Sequence, residues 1–198
     1  MPYASSLSTH DDPGIAVAEA IGHILDKLGP SPDFAVVFMS GHFSNQVGDI
    51  HSAVHELLRP NVLIGCTAAA VVCGSKEIEE QSALTIFGGN VDGEVSALRL
   101  EALPNLLSDT TQPQIDTDAH TMILLADPFS FPAEAAVANC RSTHPQIQLI
   151  GGLTSSANTS SGDCLFLDGE IFKDGAVALL VTGPVVVEPL VSQGCRPI

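Results

Sequence analysis

Two short segments of the sequence each place glycines and hydroxyl side chains directly after an apolar run. The first reads NVLIGCTAAAV from Asn61, and the second reads IQLIGGLTSSA from Ile147. Glycine lets a ligand approach the backbone closely, and free backbone N–H groups beside hydroxyls form a cradle for a carboxylate or a similar anion. The residues that we predict to bind such a ligand are Gly65, Cys66, Thr67, Gly151, Gly152, Thr154, Ser155 and Ser156.

The sequence leaves a second interpretation of these glycines open, in which they only allow tight turns and close packing. If the cradle exists, a carboxylate opposite it could hold the ammonium group of a zwitterion such as an amino acid. The candidates for this polar partner are Asp127, Glu77 and Glu79. Glu77 and Glu79 belong to an acidic stretch that is also typical of a solvated surface, and burying them without a partner would be costly.

Cys66 could act as a nucleophile, with His42 or Asp127 following strands that could lie beside it. A reactive thiol needs a base within reach and a lowered pKa. The sequence shows neither for Cys66, and a small buried side chain is the favoured interpretation. We therefore predict no catalytic residue.

His51 and His55 are four residues apart on one face of a predicted helix, a spacing that can bind zinc. The segment HSAVHE has serine where the HExxH motif needs glutamate, and it does not fit the inverted motif either. We interpret the pair as part of a solvated polar face, and we predict neither a metal nor a cofactor.

The composition limits the classes of partner. Seven Lys and Arg stand against 23 Asp and Glu, which gives a formal net charge of −16. Nucleic acids and anionic membranes both attract basic surfaces, so neither is expected as a partner. The cysteines are odd in number and lack a CxxC motif, which favours reduced thiols and a cytoplasmic location. No signal peptide or membrane-spanning segment is recognisable.

Helices and strands that would position these residues alternate along the first half of the chain. Asp12 and Pro13 start a helix that Gly29 ends. A buried strand at residues 34–39 is followed by a helix capped by Ser44 or Asn45. The next predicted strands are residues 62–66, 83–87 and 95–100, the last two joined as a hairpin.

The same order recurs after a polar linker at residues 103–120. Ser130 is predicted to cap a helix with Pro132 in its first turn, and Asp168-Gly169 indicates a hairpin. The predicted strands are residues 122–126, 147–150, 165–167, 170–172, 176–182 and 185–191. We interpret residues 34–101 and 121–191 as two copies of one strand–helix–strand–hairpin unit, with chance similarity as the alternative. The predicted fold class is α/β, with mixed sheets covered by helices in a layered sandwich.

Several short motifs resemble those of FIST proteins (F-box and intracellular signal transduction). They are the opening at residues 4–9, IGCT at 64–67, Gly74 with EIE at 77–79, DPFS at 127–130 and GGL at 151–153. Their order, together with the closing GCRPI, makes the resemblance fairly specific. The residues that match the family's domain junction are Gly194, Cys195, Arg196 and Pro197. The first loop departs from the family's glycine-richer pattern, because Ala68-Ala69-Ala70 fills it.

The resemblance implies that residues 1–198 form a single N-terminal FIST domain, and that the chain ends where a C-terminal FIST domain would begin. That second domain would then be a partner in cis. The resemblance also implies an intracellular sensory domain in signal transduction that binds a small ligand, with an amino acid or a small carboxylate as the candidate. Two other functions remain open: a protein-interaction scaffold with an exposed apolar patch, and an enzyme dependent on Cys66.

Overall fold

The computed structural model describes residues 2–101, 119–155 and 163–189. The helices in these ranges are α1 (Pro13–Leu28), α2 (Val47–Leu58) and α3 (Ala133–Thr143), and a 3-10 turn spans Gly41–Phe43. The strands are β1 (Tyr3–Ser8), β2 (Phe34–Ser40), β3 (Val62–Ala68), β4 (Ala70–Cys73), β5 (Lys76–Glu79), β6 (Leu84–Gly89), β7 (Glu94–Leu100), β8 (Ala119–Ala126), β9 (Gln148–Leu153), β10 (Leu165–Leu167), β11 (Glu170–Phe172) and β12 (Ala176–Thr182).

Helix α1 begins and ends as its sequence predicts. The Asp12 carboxylate accepts a hydrogen bond from the Ile15 N–H at 3.0 Å, which satisfies one of the free donors of the first turn. Gly29 ends the helix with a positive φ of 76°, and its N–H donates to the Leu25 carbonyl. The face that α1 buries consists of Ala16, Val17, Ala20, Ile21 and Ile24.

The strands form two mixed sheets and one separate hairpin, which confirms the predicted α/β class. The first sheet has the order β1-β6-β2-β3-β10-β11, and the second has the order β7-β12-β8-β9. Strands β2 and β3 are parallel, as are β8 and β9, while the other neighbours are antiparallel. Strands β4 and β5 pair only with each other in the described part of the chain.

The two sheets pack face to face between helices, which gives a layered sandwich. One apolar cluster lies between α1, α2 and the first sheet, and it contains Ile24, Ile50 and Leu63. A second cluster fills the space between the sheets, with Ile64 from β3 and Leu179 from β12. A third lies on the opposite face of the second sheet, against α3. Central strands covered on both faces explain why β2, β3 and β12 read as continuous apolar runs.

Four strands of each sheet correspond in order and direction. The order β1-β6-β2-β3 in the first sheet matches β7-β12-β8-β9 in the second, with the same parallel and antiparallel neighbours. In both halves a helix, α2 or α3, connects the parallel pair. The predicted copies at residues 34–101 and 121–191 do not coincide with the sheets, because β7 pairs in the second sheet and β10 and β11 pair in the first. That the chain arose by duplication stays a prediction.

Some predicted elements are wrong or were missed. Strand β1 was missed because serines occupy its buried positions; Ser6 and Ser8 are 4% and 2% exposed, so its apolar alternation is weak. The hairpin β4–β5 was also missed, since it was read as a loop followed by a solvated acidic segment. The predicted β6–β7 hairpin is wrong, because the two strands belong to different sheets and residues 90–93 cross between them.

Two predicted helix caps are wrong as well. Helix α2 begins after Gln46, without a side-chain cap from Ser44 or Asn45, because a 3-10 turn occupies the preceding residues. Helix α3 begins after Pro132 without a side-chain cap. The Ser130 hydroxyl instead donates to the Asp127 carboxylate.

Several predictions fall partly or wholly outside the described residues. Ser156 and the junction motif Gly194, Cys195, Arg196 and Pro197 lie outside them, and so does most of the predicted linker. The predicted strand at residues 185–191 is wrong for its described part, because residues 185–189 form no strand. The hairpin around Asp168-Gly169 is confirmed as β10–β11.

Candidate ligand site at the strand ends

Gly65 and Cys66 lie inside β3, as the predicted strand at residues 62–66 requires. Thr67 also lies in β3, so the prediction that a loop begins after residue 66 is wrong. Strand β3 continues to Ala68. A Cβ built on Gly65 would lie 2.2 Å from the Val37 carbonyl oxygen and 2.9 Å from Cδ2 of Phe166. Gly65 therefore allows close packing of neighbouring strands, which favours the packing interpretation at this position.

Gly151 and Gly152 likewise lie inside β9, which continues to Leu153. A Cβ on Gly151 would lie 1.8 Å from the Leu124 carbonyl oxygen, and its φ of 147° suits glycine. A Cβ on Gly152 would meet nothing within 4 Å. Both glycines are exposed and line an open groove of about 740 Å³ between β9 and α3.

The carboxyl ends of β3 and β9 meet, as the two similar segments predicted. The Ala69 N–H, just after β3, donates to the Ser155 hydroxyl at 3.2 Å. The Thr154 N–H donates to the Ala126 carbonyl at 2.9 Å, so Thr154 lies beside the end of β8. The strand ends of both sheets therefore share one end of the sandwich.

The Thr67 hydroxyl is already used within the protein. It donates to the Asp163 carboxylate at 3.3 Å and accepts from the Cys164 N–H at 2.9 Å. The Thr67 N–H donates to the Cys164 carbonyl. These bonds hold the start of β10 against the end of β3, and they give Thr67 a structural role.

Asp127 lies at the end of β8 and is 1% exposed. Its Oδ2 accepts hydrogen bonds from the Ser130 N–H at 2.8 Å and from the Ser130 hydroxyl at 2.5 Å. The Ser130 hydroxyl in turn accepts from the Gly175 N–H at 2.8 Å. The other carboxylate oxygen, Oδ1, is buried and has no hydrogen-bond partner in residues 2–101, 119–155 and 163–189.

Thr154 offers a second buried polar atom beside Asp127. The residue is 3% exposed, and its hydroxyl has no hydrogen-bond partner within the described ranges. Its backbone bonds to Ala126, which directly precedes Asp127. Leaving a buried polar group unsatisfied costs about 1–3 kcal/mol. Two such groups at adjacent strand ends are unusual enough to require an explanation.

Cys66 is unsuited to nucleophilic catalysis. The thiol is 3% exposed. Burial, together with the nearby negative charge of Asp163, raises its pKa to about 12. Because the thiolate is the reactive form, a thiol that stays protonated at neutral pH argues against the Cys66-dependent enzyme.

His51 is buried, so the predicted solvated polar face is wrong for this residue. It is 3% exposed, and its Nε2–H donates to the Asp168 carbonyl at 2.8 Å. Its ring stacks on Phe166 with a centroid distance of 5.3 Å. Burial lowers the pKa of His51, an effect that the Asp168 bond opposes and the nearby His55 reinforces. His51 therefore fastens α2 to the hairpin β10–β11.

Glu77 and Glu79 lie on β5, and both are exposed. They pair with Val72 and Ala70 of β4 in the separate hairpin. Their predicted role as polar partners stays a prediction, whereas Asp127 is buried at the strand ends.

Comparison with known proteins supplies the family. The model of the FIST N domain matches residues 33–198, which is most of the chain. The chain belongs to the FIST family. This family is associated with signal transduction.

The FIST domain is similar to several mycobacterial proteins. It is 31% identical over 194 residues to the uncharacterized protein Mb0898c of Mycobacterium bovis, covering 96% of this chain and 50% of that protein. It is also 31% identical over 195 residues to the uncharacterized protein Rv0628c of Mycobacterium tuberculosis, covering 97% of this chain and 50% of that protein. The chain thus spans about half the length of the curated relatives it matches.

The described part of the FIST domain shows neither a cluster of metal ligands nor a membrane-spanning helix. No group of three or more His, Cys, Asp or Glu side chains is arranged to hold a metal ion. None of the described helices has the length and apolar character needed to cross a membrane.

Sequence reasoning missed two features of the FIST domain that bear on its site. The first feature is the hydrogen bond between Ser130 and Asp127. The sequence predicts Ser130 as a helix cap, but an aspartate that begins a short turn also favours a bond between its carboxylate and a residue two or three positions later. Arg141 was not singled out, yet it lines the groove beside β9. The sequence did offer a signal for Arg141, because Lys and Arg together total 7 residues and each of them is therefore a candidate for binding an anionic group.

Proposed function

We propose that this FIST domain is a sensory domain that binds a small ligand where β8 and β9 end. The observation that supports it is the pair of buried polar atoms, Asp127 Oδ1 and Thr154 Oγ1, that have no hydrogen-bond partner among the described residues. A ligand that bonds to both would remove the cost of their burial. The ligand would gain affinity from groups that are already fixed in place.

The chemistry of the two atoms favours an amino acid over a simple carboxylate. The Asp127 oxygen only accepts hydrogen bonds when it is ionised, so it suits the N–H groups of an ammonium ion. The Thr154 hydroxyl can donate, and so it suits the carboxylate of the same ligand. A carboxylate without an amine would meet the Asp127 charge with its own negative charge.

The turn after β8 holds Asp127 rigidly for this role. The Ser130 N–H and hydroxyl fix Oδ2, and Ser130 is itself bonded to Gly175 at the start of β12. The Asp127 N–H also donates to the Gly175 carbonyl at 2.9 Å. Oδ1 is therefore oriented before any ligand binds.

A thermal-shift screen tests the proposal. The twenty amino acids are compared with matched carboxylates that lack the amine. A ligand at 100 times its dissociation constant stabilises the folded state by about 2.7 kcal/mol, which for a domain of this size raises Tm by roughly 5–10 °C. We expect at least one amino acid to reach this shift, while its deaminated analogue does not.

Two variants connect the shift to the proposed atoms. We expect Asp127→Asn and Thr154→Val to abolish it, while Glu79→Gln, a change at an exposed carboxylate on β5, retains it. The proposal fails if no amino acid shifts Tm, or if Asp127→Asn responds like the unchanged protein.

A protein-interaction scaffold remains the second candidate, and one surface favours it. Tyr3 and Phe87 are 47% and 41% exposed, and their rings stack with centroids 6.2 Å apart. Phe34 lies beside both rings. Exposed apolar patches of this kind often mark interaction sites. A C-terminal FIST domain in cis is the partner that we propose for this patch.

A further inference from the structure

The groove beside β9 has a filled counterpart in the first half of the chain. Strand β3 has β10 as its outer neighbour, whereas β9 is the edge strand of the second sheet in the part of the chain that the structure describes. The registers of the two parallel pairs correspond, since Gly65 lies opposite Val37 in the first pair and Gly151 lies opposite Leu124 in the second. The side of Gly65 that faces β10 therefore corresponds to the side of Gly151 that faces away from β8.

Three residues of the first half contact the hairpin β10–β11. Phe166 lies opposite Gly65, where only a glycine leaves room for its ring. The His51 ring stacks on Phe166. A Cβ on Gly169, in the hairpin turn, would lie 3.6 Å from Cε1 of His55.

The counterparts of these three residues line the open groove. The pairs Gly65 and Gly151, His51 and Val137, and His55 and Arg141 are each separated by 86 positions, and the second members all line the groove. Residues that contact a hairpin in the first half thus surround a groove of about 740 Å³ in the second, which no described residue fills. The filled site shows what kind of group fits: an added strand with an aromatic side chain over the glycine.

The edge itself is suited to pairing. Strand β9 reads QLIGGL and has no charge and no proline. Natural edge strands usually carry charges, prolines or bulges that prevent added strands from pairing. Leu153 is 52% exposed on this edge. An uncharged edge beside an apolar groove matches recognition by strand addition, in which backbone bonds give affinity and a side-chain pocket gives specificity.

We propose that β9 and this groove bind an antiparallel strand of a partner polypeptide, with an aromatic side chain packed between Gly151 and Val137. Arg141 adds a preference for an acidic residue on the partner strand. It has no ion pair in the described part of the chain, where Arg99–Asp174 is the pair observed. Asp127 and Thr154 do not line this groove, although their direct neighbours Ala126 and Leu153 do. The proposal does not depend on a small ligand at Asp127 and Thr154.

A cyclic peptide with the sequence of residues 165–172, LFLDGEIF, serves as the probe, because that segment fills the corresponding place beside β3. We expect saturable binding to the full chain by fluorescence polarisation, with slower hydrogen exchange of the β9 amides. A peptide with alanine in place of its first phenylalanine should bind about tenfold more weakly or worse, because a buried aromatic anchor carries much of such an interface.

Two neighbouring residues of α3 provide a matched pair of variants. Val137→Lys places a charge in the groove, while Ala138→Lys adds the same charge at an exposed residue that does not line it. We expect the first to weaken peptide binding about tenfold or more and the second to leave it unchanged. Circular dichroism and the unfolding midpoint verify that both variants fold.

Three results would overturn the proposal. The first is the absence of saturable binding up to about 1 mM peptide. The second is equal binding by the Val137→Lys and Ala138→Lys variants. The third is a concentration-dependent dimer that Val137→Lys dissociates, since a second copy of the chain would then be the occupant.

Discussion

His51 combines a titratable side chain with a buried position, and its environment decides its chemistry. Its ring lies between α2 and Phe166, and its Nε2–H bonds to the backbone of the hairpin turn at Asp168. Burial disfavours the charged imidazolium, so the pKa lies below its usual value of about 6.5. The residue is therefore neutral in the folded state under conditions in which the unfolded chain already binds a proton.

This difference predicts a pH dependence of stability. Above pH 6.5 both states are neutral and the contribution of His51 is fully present. As the pH falls below that value and through the lowered pKa, the unfolded state gains a proton first, and the free energy of unfolding decreases. We expect urea midpoints to decline between about pH 7 and pH 5, and His51→Asn to be less stable at pH 7 but to show a weaker decline.

The half-buried neighbour His55 gives the control. His55→Asn should retain most of the pH dependence, because the buried ring stays in place. If His51→Asn and the unchanged protein lose stability in parallel as the pH falls, the assignment to His51 is wrong.

At this scale the sequence predicts residue types better than residue environments. Thr67 and Thr154 lie near the ends of corresponding strands. The Thr67 hydroxyl bonds to Asp163 and Cys164, whereas the Thr154 hydroxyl has no partner in the part of the chain that the structure describes. Asp127 was predicted as a polar partner of a ligand, and that role stays a prediction, although the residue is buried at a strand end. The difference between the two threonines depends on residues that are distant in sequence, so no local pattern contains it.

At the scale of elements, the glycines of β3 and β9 look alike in sequence and differ in their surroundings. Gly65 is covered by a neighbouring strand on each side, while Gly152 faces open space. The similarity of the two segments predicted that they occupy corresponding positions in the fold. Loops were predicted after residues 66 and 150, because small residues and hydroxyls are typical of turns. The strands continue through them, since backbone pairing with β2 and β8 overrides that local preference.

Gly65→Ala should therefore destabilise the protein strongly. The new methyl group would lie 2.2 Å from the Val37 carbonyl oxygen, so the strands would have to separate. Overpacking of this kind costs about 1–3 kcal/mol, and more where backbone must move. Gly152→Ala is the matched control, because it meets nothing within 4 Å. Equal thermal unfolding midpoints for the two variants would contradict the packing role of Gly65.

At the scale of the whole molecule, a charge of −16 is carried by a sandwich whose interior is apolar. The composition predicted the layers, because continuous apolar strands need cover on both faces. It could not predict that β7 leaves its sequence neighbour β6 for the other sheet. A glycine-rich connection permits a hairpin and a crossing equally, and the choice depends on which sheet offers a partner strand.

The same charge predicts a response to salt. Acidic groups repel one another more in the compact state than in the unfolded chain, and salt screens that repulsion over about 10 Å at 0.1 M. We expect Tm to rise when NaCl increases from about 10 mM to about 0.5 M. Potassium chloride should give the same rise, which separates screening from a specific ion effect. An unchanged or lower Tm would show that attractive pairs outweigh the repulsion.

The pairing of β10 with β3 has a consequence for synthesis on the ribosome. Residues 62–68 leave the exit tunnel long before residues 165–167 that pair with them. At the usual rate of about 5–20 residues per second, the outer side of β3 waits on the order of 5–20 s for its neighbour. The nascent N-terminal half therefore passes through a stage in which Gly65 and His51 lack Phe166. A chain interrupted in this interval would expose a bare strand to other nascent chains.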